Sequence, residues 1–490
     1  MALCTAELMD GSTIQYVESD DPPTGTMKRT YFTPDRSQVV QFFIDQSAGR
    51  DPNRLARLQA IIGKYNPTIP EEKGGAKGTS ATAAVYFRQL FCWPTGIVVK
   101  PHFGIVAPTY PQNFFFSDGP WEGGEKKGLW FFGSNTRKYL PESEKGSFIQ
   151  YLSICLQMSR AIRRLHQAGL AHSDLSSNNV LIDPTSGRCI IIDIDSLVVP
   201  QVFPPDVLGT PGYIAPEVVS TQHLPLSDPN RNHPSIRTDL HAMAVLIYES
   251  LLKRHPLDGP KRHSVTSGEE DEILVMGAKA LFIEDSNDPS NRPKDLTVPY
   301  TVLGPHLAPL IKQTFVDGLH EPFKRAHSAE WEGALNKTWD LLIPCANPSC
   351  EQKWFVFHDG IHGVCPFCGT PIANSFPILR LRKETRPGIW MNDGKVVVYH
   401  GIYLYKWHVY DHVLPGEEAD RTAIAYCSLY EGKWILVNQG LSSMITDSGS
   451  RVPPGSAIEL KDGQGFTFAN DLHGRRVAVE MLQPAQYVGI

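Results

Sequence analysis

Short apolar runs bounded by turn residues dominate residues 1–110. Thr13 to Val17 is β-rich and is broken by Pro22, Pro23 and Gly25. Lys28 to Thr33 and Gln38 to Ile44 follow as strand candidates, divided by Pro34 and Asp35. The period then changes. Leu55, Leu58, Ile61 and Ile62 recur at helical spacing, Asp51 can cap and Pro52 suits a first turn, so a helix is predicted over 51–65. Ile97 to Val99 and Phe103 to Val106 read as two further strands.

Beyond residue 140 helical spacing takes over. Phe148, Leu152, Cys155, Leu156, Ile162 and Leu165 form an apolar stripe that Gly169 can terminate. Val180 to Ile182 and Cys189 to Ile192 look like short buried strands, and Leu240 to Leu252 like an apolar helix. Residues 254–300 are rich in Pro, Asn, Asp and Ser, which predicts long loops. Leu307 to Val316 and Ser328 to Leu342 are helical again. Residues 376–490 carry strand-length runs such as Lys395 to Tyr399, Ala423 to Cys427, Trp434 to Val437, Ala457 to Leu460 and Val477 to Leu482. That is an all-β pattern.

Composition narrows the class. A chain of 490 residues suggests about three domains at roughly 150 residues each. Lys+Arg of 46 against Asp+Glu of 52 gives a net charge of -6, which provides no global attraction to nucleic acid and disfavours it as a partner. No apolar run reaches the ~18 residues of a membrane span, and Met1 to Asp10 lacks a signal-peptide pattern. The expected setting is cytoplasmic, with no membrane partner. Nine cysteines, an odd number, argue against a disulfide framework. Cys4, Cys92, Cys155, Cys189 and Cys427 are scattered; Cys345, Cys350, Cys365 and Cys368 are clustered.

The chemistry concentrates in one stretch. His172-Ser173-Asp174-Leu175-Ser176-Ser177-Asn178-Asn179 precedes a β run, Asp193-Ile194-Asp195 follows it, and Gly209-Thr210-Pro211-Gly212-Tyr213-Ile214-Ala215-Pro216-Glu217 comes next. In this order and spacing the segments resemble the protein kinase family. The resemblance implies a bilobal α+β kinase fold, with a small lobe over about 1–107 and a large lobe over about 108–342. It also implies ATP and Mg2+ or Mn2+ as cofactors. Asp174 would orient the acceptor hydroxyl and take its proton; Asn179 and Asp193 would hold the metal ions; Leu181 would floor the adenine site. Val106, Ala107 and Pro108 would face the adenine edge, with Ala107 as the backbone donor because Pro108 has no N–H. Asp239 would brace the catalytic loop, and Glu217 would pair with Arg325.

Several positions depart from the family pattern. Ser173 replaces an Arg and Ser176 a Lys. Asp195 replaces a Gly; it either helps to bind metal or satisfies local backbone donors. No Gly-x-Gly-x-x-Gly is present, and Gln41 stands where the phosphate-contacting Lys is usual. Lys28, one strand away, is either the relocated phosphate contact or a solvated surface residue, since adjacent strands lie ~4.8 Å apart. The helix-C glutamate is missing from 51–65, and Glu71 and Glu72 are the nearest candidates.

The clustered cysteines, spaced Cys-x4-Cys and Cys-x2-Cys, suit a closed tetrahedral Zn2+ site in a zinc ribbon over 343–374. Free thiols, or substitution of one ligand by His358 or His362, are the alternatives. Over 376–490, Gly432 to Gly440, Val452 to Gly455 and Ile458 to Gly463 resemble a forkhead-associated β-sandwich. Its phosphothreonine-reading Arg and Ser-x-x-His are not evident, and Ser442 and Ser443 stand near the expected Asn, which fits a degenerate docking domain. Kinase, ribbon and sandwich together are similar to bacterial kinases of tellurium-resistance systems. That resemblance implies a von Willebrand factor A-type protein and a metal-dependent protein phosphatase as partners. Two functions follow: a Ser/Thr protein kinase acting on a protein substrate in bacterial stress signalling, or a pseudokinase scaffold that binds nucleotide and organises partners.

Overall fold

A computed structural model describes residues 2–25, 27–47, 51–199, 209–225, 227–264 and 267–483. The end of the C-terminal β region, 484–490, lies outside the described residues. The chain divides into two compact units, one of Met1–Gly146, Ser153–Asp295 and Leu310–Trp331, the other of Ser147–Leu152, Leu296–Pro309 and Glu332–Ile490.

The first unit opens with six strands: β1 (Leu3–Leu8), β2 (Thr13–Val17), β3 (Lys28–Phe32), β4 (Gln38–Phe43), β5 (Gly96–Lys100) and β6 (Gly104–Pro108). They form one antiparallel sheet in the order β2-β1-β5-β6-β4-β3. Strand alternation divides its apolar residues between two faces. Val40, Phe42, Val98 and Val106 join Ala6 and Tyr16 on one face. Phe43, Ile97 and Ile105 pack on the other against Leu58 of the helix Pro52–Ile62. Asp51 caps that helix, its carboxylate accepting from the Asn53 N–H at 2.9 Å. The sequence pattern did not predict β1. Its register with β5 is established only in the folded sheet, some 90 residues away, and its Leu3 and Thr5 side chains face solvent.

A second helix, Ala81–Arg88, also escaped the periodicity argument, because eight residues give barely two turns of pattern. The helix Phe148–Gln167 appears where the apolar stripe placed it. Strands β7 (Val180–Asp183) and β8 (Arg188–Ile191) pair as a buried hairpin. The helix Ile236–Leu252 is buried over nearly its whole length, which explains why its apolar residues are not confined to one face. Residues 254–300 are not all loop: Gly268–Met276 is helical, with the Ser267 hydroxyl accepting from the Glu270 N–H at 3.2 Å.

In the second unit β9 (Leu342–Pro344) and β10 (Trp354–Val356) form a short hairpin. Two larger antiparallel sheets follow. One has the order β12-β11-β19-β18-β16, with β11 Phe376–Arg386, β12 Ile389–Val397, β16 Ile445–Thr446, β18 Gly465–Thr467 and β19 Arg476–Leu482. The other has the order β13-β14-β15-β17, with β13 Tyr403–Leu404, β14 Ala425–Tyr430, β15 Lys433–Asn438 and β17 Ala457–Glu459. Leu379, Val396, Phe466 and Val477 from the first and Leu404, Cys427 and Leu436 from the second fall in a single hydrophobic core. The β14–β15 turn is made by Glu431 (φ 48) and Gly432 (φ 77). Two consecutive left-handed residues match the twist of a tight hairpin.

Candidate active site

The loop that carries Asp174 is held from below by one carboxylate. Asp239, in the helix Ile236–Leu252, is buried; its Oδ2 accepts from the His172 N–H at 2.7 Å and its Oδ1 from the Ser173 N–H at 3.2 Å. His172 Nε2 lies 2.9 Å from the Ile192 carbonyl. These bonds steady Ser173, whose φ of 66 places it in the left-handed region, a conformation that costs a non-glycine residue about 1 kcal/mol or more. Asp193 adopts the same region with φ 60. The Ile192 N–H donates to the Asn179 carbonyl, which anchors the segment leading into it.

Two groups fix the Asp174 carboxylate. Asn179 Nδ2 donates to its Oδ2 at 2.9 Å and to its backbone carbonyl at 2.8 Å. The Thr210 hydroxyl donates to its Oδ1 at 2.7 Å and lies 3.2 Å from the Ser176 hydroxyl. The role of Thr210 was not read from the sequence. Its signal was its place in the Gly-Thr-Pro-Gly segment, but the contact spans 36 residues.

Lys28 reaches the acidic pair that follows β8. Its Nζ lies 2.6 Å from Asp195 Oδ1 and 3.2 Å from Asp193 Oδ1. The Lys28 side chain is 13% exposed, Asp195 10% and Asp193 51%. Burial works against the Lys28 charge, but the carboxylates of Asp195 and Asp193 outweigh it and hold the ammonium well above its usual range. Lys28 is therefore not a solvated surface residue. Gln41 shares its face of the sheet: Lys28 stands opposite Phe43 and Thr30 opposite Gln41. Gln41 Nε2 donates to Thr30 Oγ1 at 3.3 Å. Glu71 and Glu72 are exposed, and Glu71 accepts from the Gly78 N–H of its own loop.

Leu181 is fully buried beside Phe114, Ile190 and Ile192, with Cys92 and Tyr110 packed against the group. Burial pushes the Cys92 thiol up to about 12 and the Tyr110 hydroxyl well above its usual range, so both are neutral walls. Val106, Ala107 and Pro108 all lie in β6, with Val106 opposite Val40 and Gly96. Ala107 stands opposite Val39, and the Thr109 N–H donates to the Ser37 carbonyl at 3.0 Å. By the two-residue alternation of an antiparallel ladder, the Ala107 N–H also points at β4. This corrects the expectation that Ala107 donates to an adenine edge; the alternation turns Pro108 and Tyr110 away from β4. The Pro108 carbonyl accepts from Cys92 Sγ at 3.3 Å.

Glu217 and Arg325 form a two-pronged pair, with Nη1–Oε1 2.8 Å and Nη2–Oε2 2.7 Å. The Arg325 guanidinium also donates to the carbonyls of Gly318, Arg237 and Leu319. Arg325 is buried, while the Glu217 side chain is 20% exposed.

In the second unit the four clustered cysteines converge. Cys345 Sγ lies 3.5 Å from Cys368 Sγ, Cys350 Sγ lies 4.0 Å from Cys365 Sγ, and all four sulfurs lie within 4.8 Å of one another. Four thiolates at ~2.3 Å around a tetrahedral Zn2+ would be about 3.8 Å apart, so the donor set fits a metal of that size.

The model of the protein kinase domain matches residues 133–320. A protein kinase domain is present in this chain. Similar proteins include a serine/threonine-protein kinase PknD from Chlamydia felis (strain Fe/C-56), 26% identical over 170 residues, covering 29% of this chain and 17% of the relative. CBL-interacting serine/threonine-protein kinase 7 from Arabidopsis thaliana is 29% identical over 126 residues, covering 25% and 26%. The DNA damage-responsive serine/threonine-protein kinase RqkA from Deinococcus radiodurans is 28% identical over 129 residues, covering 25% and 18%. The chain thus spans about a quarter or less of the curated relatives it matches. Each of these relatives is named as a serine/threonine-protein kinase. Among the described residues no helix is long and apolar enough to cross a membrane.

Proposed function

We propose that this protein is an ATP- and Mg2+-dependent protein kinase that phosphorylates Ser or Thr of a protein partner. The observation that carries the reading is the meeting of Lys28 with Asp193 and Asp195. It supplies the cation that Gln41 lacks, beside the half-exposed carboxylate expected to ligate metal. Asp174, fixed by Asn179 and Thr210, orients the acceptor hydroxyl and takes its proton. Asn179 and Asp193, with Asp195 beside them, hold the divalent ion, which when bound neutralises phosphate charge. Lys28 contributes a positive charge for the same phosphates. Leu181, Cys92 and Tyr110 wall an apolar adenine site. The Gly209 to Glu217 segment forms the peptide platform, which favours a protein acceptor over a small molecule.

The proposed organisation is a kinase domain over 1–342, a Zn2+-holding ribbon over 343–374 and a β-sandwich over 376–490 that docks rather than reads phosphothreonine. The bacterial relatives and the resemblance to tellurium-resistance kinases support a cytoplasmic role in stress signalling, with a von Willebrand factor A-type protein and a metal-dependent protein phosphatase as partners. The test is transfer of 32P from labelled ATP by wild type, Asp174→Ala and Asp193→Ala. Transfer lost in both variants supports the kinase. Mg2+-ATP binding without transfer in wild type, with any metal or partner present, supports a scaffold instead.

A further inference from the structure

A second cluster of metal-binding side chains lies in the C-terminal β region, far in sequence from the cysteines. His473 Nδ1 is 3.0 Å and His412 Nδ1 3.8 Å from the same oxygen, Asp411 Oδ1. The two imidazoles stand 4.4 Å apart between centroids. All three ligand atoms lie within 4.8 Å of one another.

The backbone builds this arrangement. Asp411 and His412 follow the short helix Lys406–Val409, and His473 sits in the connection between β18 and β19. Tyr410 and Gly474 form an antiparallel bridge. The Asp411 N–H donates to the His473 carbonyl at 3.1 Å and the Arg475 N–H to the Val409 carbonyl at 2.7 Å. The buried Arg475 guanidinium donates to the Trp407 and Tyr410 carbonyls while paired with Asp393. Asp471 accepts from the His473 N–H at 3.1 Å. A Cβ at Gly474 would overlap the Ala469 carbonyl, so only glycine lets the β18–β19 connection fold back on itself this tightly. The three side chains therefore project from a cross-braced frame.

A hydrogen bond accounts for the His473–Asp411 contact. It does not account for His412, because 3.8 Å is beyond hydrogen-bond range. Donors at ~2.1 Å around a tetrahedral ion stand about 3.4 Å apart, and the two observed separations bracket that value. We propose that Asp411, His412 and His473 form a binding site for a borderline divalent transition metal such as Zn2+, Ni2+ or Co2+. Two imidazoles and one carboxylate select such ions over Mg2+ and Ca2+. Three protein ligands leave the coordination sphere open. The opening faces solvent, since His412 and His473 are 55% and 50% exposed while Asp411 is 19% exposed. This site is exchangeable, unlike a closed four-thiolate site, and it ties the loop after Lys406–Val409 to the β18–β19 connection.

The test is titration of Co2+ into the full-length chain after loading with Zn2+ and removal of loosely held metal. Wild type is expected to bind one further ion, with visible d–d bands and no near-ultraviolet thiolate charge-transfer band. Replacing either ligand, in His412→Ala or His473→Ala, should weaken binding at least about tenfold. Asp411→Asn provides a third variant, and equal metal-free melting temperatures certify folding. No further ion at about 1 mM Co2+, a thiolate band, or binding unchanged in His412→Ala and His473→Ala overturns the site.

Discussion

Lys28 and Asp195, separated by 167 residues in sequence, lie 2.6 Å apart, nitrogen to oxygen. This contact carries a β3 cation to the segment after β8. Lys28→Ala should lower phosphotransfer by about 10²–10³-fold, the usual loss when one aimed charge is removed from developing anionic charge. Gln41→Ala should cost far less, because its amide is engaged with Thr30. Kinetics of both variants beside wild type decide this; equal losses would mean that the Lys28 charge contributes no more than the Gln41 amide.

The Thr210 hydroxyl donates to Asp174, which in the proposed kinase makes it a positioning residue. Thr210→Val is expected to lower kcat with little change in KM for ATP, and Thr210→Ser to restore most of the rate by returning the hydroxyl. A loss of rate that Ser does not restore would mean that the methyl packing, not the hydrogen bond, matters.

Arg325 is a stability residue. Glu217→Gln should cost about 3–5 kcal/mol, since it leaves a buried guanidinium short of its counter-charge. The 20% exposure of Glu217 favours the lower end. Arg325→Lys should not rescue, because an ammonium cannot make the two-pronged contact. Urea unfolding of the full chain measures both.

Metal removal separates the cysteine cluster from the rest. Cys350→Ser and Cys365→Ser remove buried thiols and should abolish retention of one Zn2+ per chain by elemental analysis, with faster proteolysis around 343–374. If the ion is the main source of order there, as in small metal-bound modules, strong chelation of wild type should give the same cleavage pattern. Zinc retained at full stoichiometry by Cys350→Ser would show that Cys350 is not a ligand.

Acid should weaken the C-terminal β region through Asp393. Burial raises its carboxyl, but hydrogen bonds and charge from Lys383 at 2.9 Å and Arg475 at 2.7 Å reverse this and hold it below the usual carboxylate range. A depressed folded pKa gives stability that is present above the unfolded value, about 4, and lost as pH falls through the folded value. Asp393→Asn should therefore lower the melting temperature near neutrality, and the difference from wild type should shrink toward about pH 3. A gap independent of pH would assign the effect to packing rather than charge.

The sequence by itself determined the parts whose chemistry is local. Asp174 and Asn179 are five residues apart, and a single tight loop brings them together wherever the rest of the chain goes. The four cysteines likewise sit in two short knuckles. Helical and strand periods were legible where one face is buried over several turns or alternations, as in Phe148–Gln167 and Lys433–Asn438. They were not legible in β1, whose inward residues include the small Cys4 and Ala6, in Ala81–Arg88, which is short, nor in Gly268–Met276, which stands in a polar loop-like stretch and carries acidic residues through its first turn. The donor direction at Ala107 was invisible as well, because a strand's hydrogen-bonding phase is set by its neighbour's register. Only the tertiary structure decided which cation serves the acidic pair, which hydroxyl steadies Asp174, and that Asp411 and His412 meet His473. Each of those contacts joins residues between 36 and 167 positions apart. Charge and hydrogen-bonding capacity are written in the sequence, but distance is fixed only when sheet register and core packing bring separate segments together.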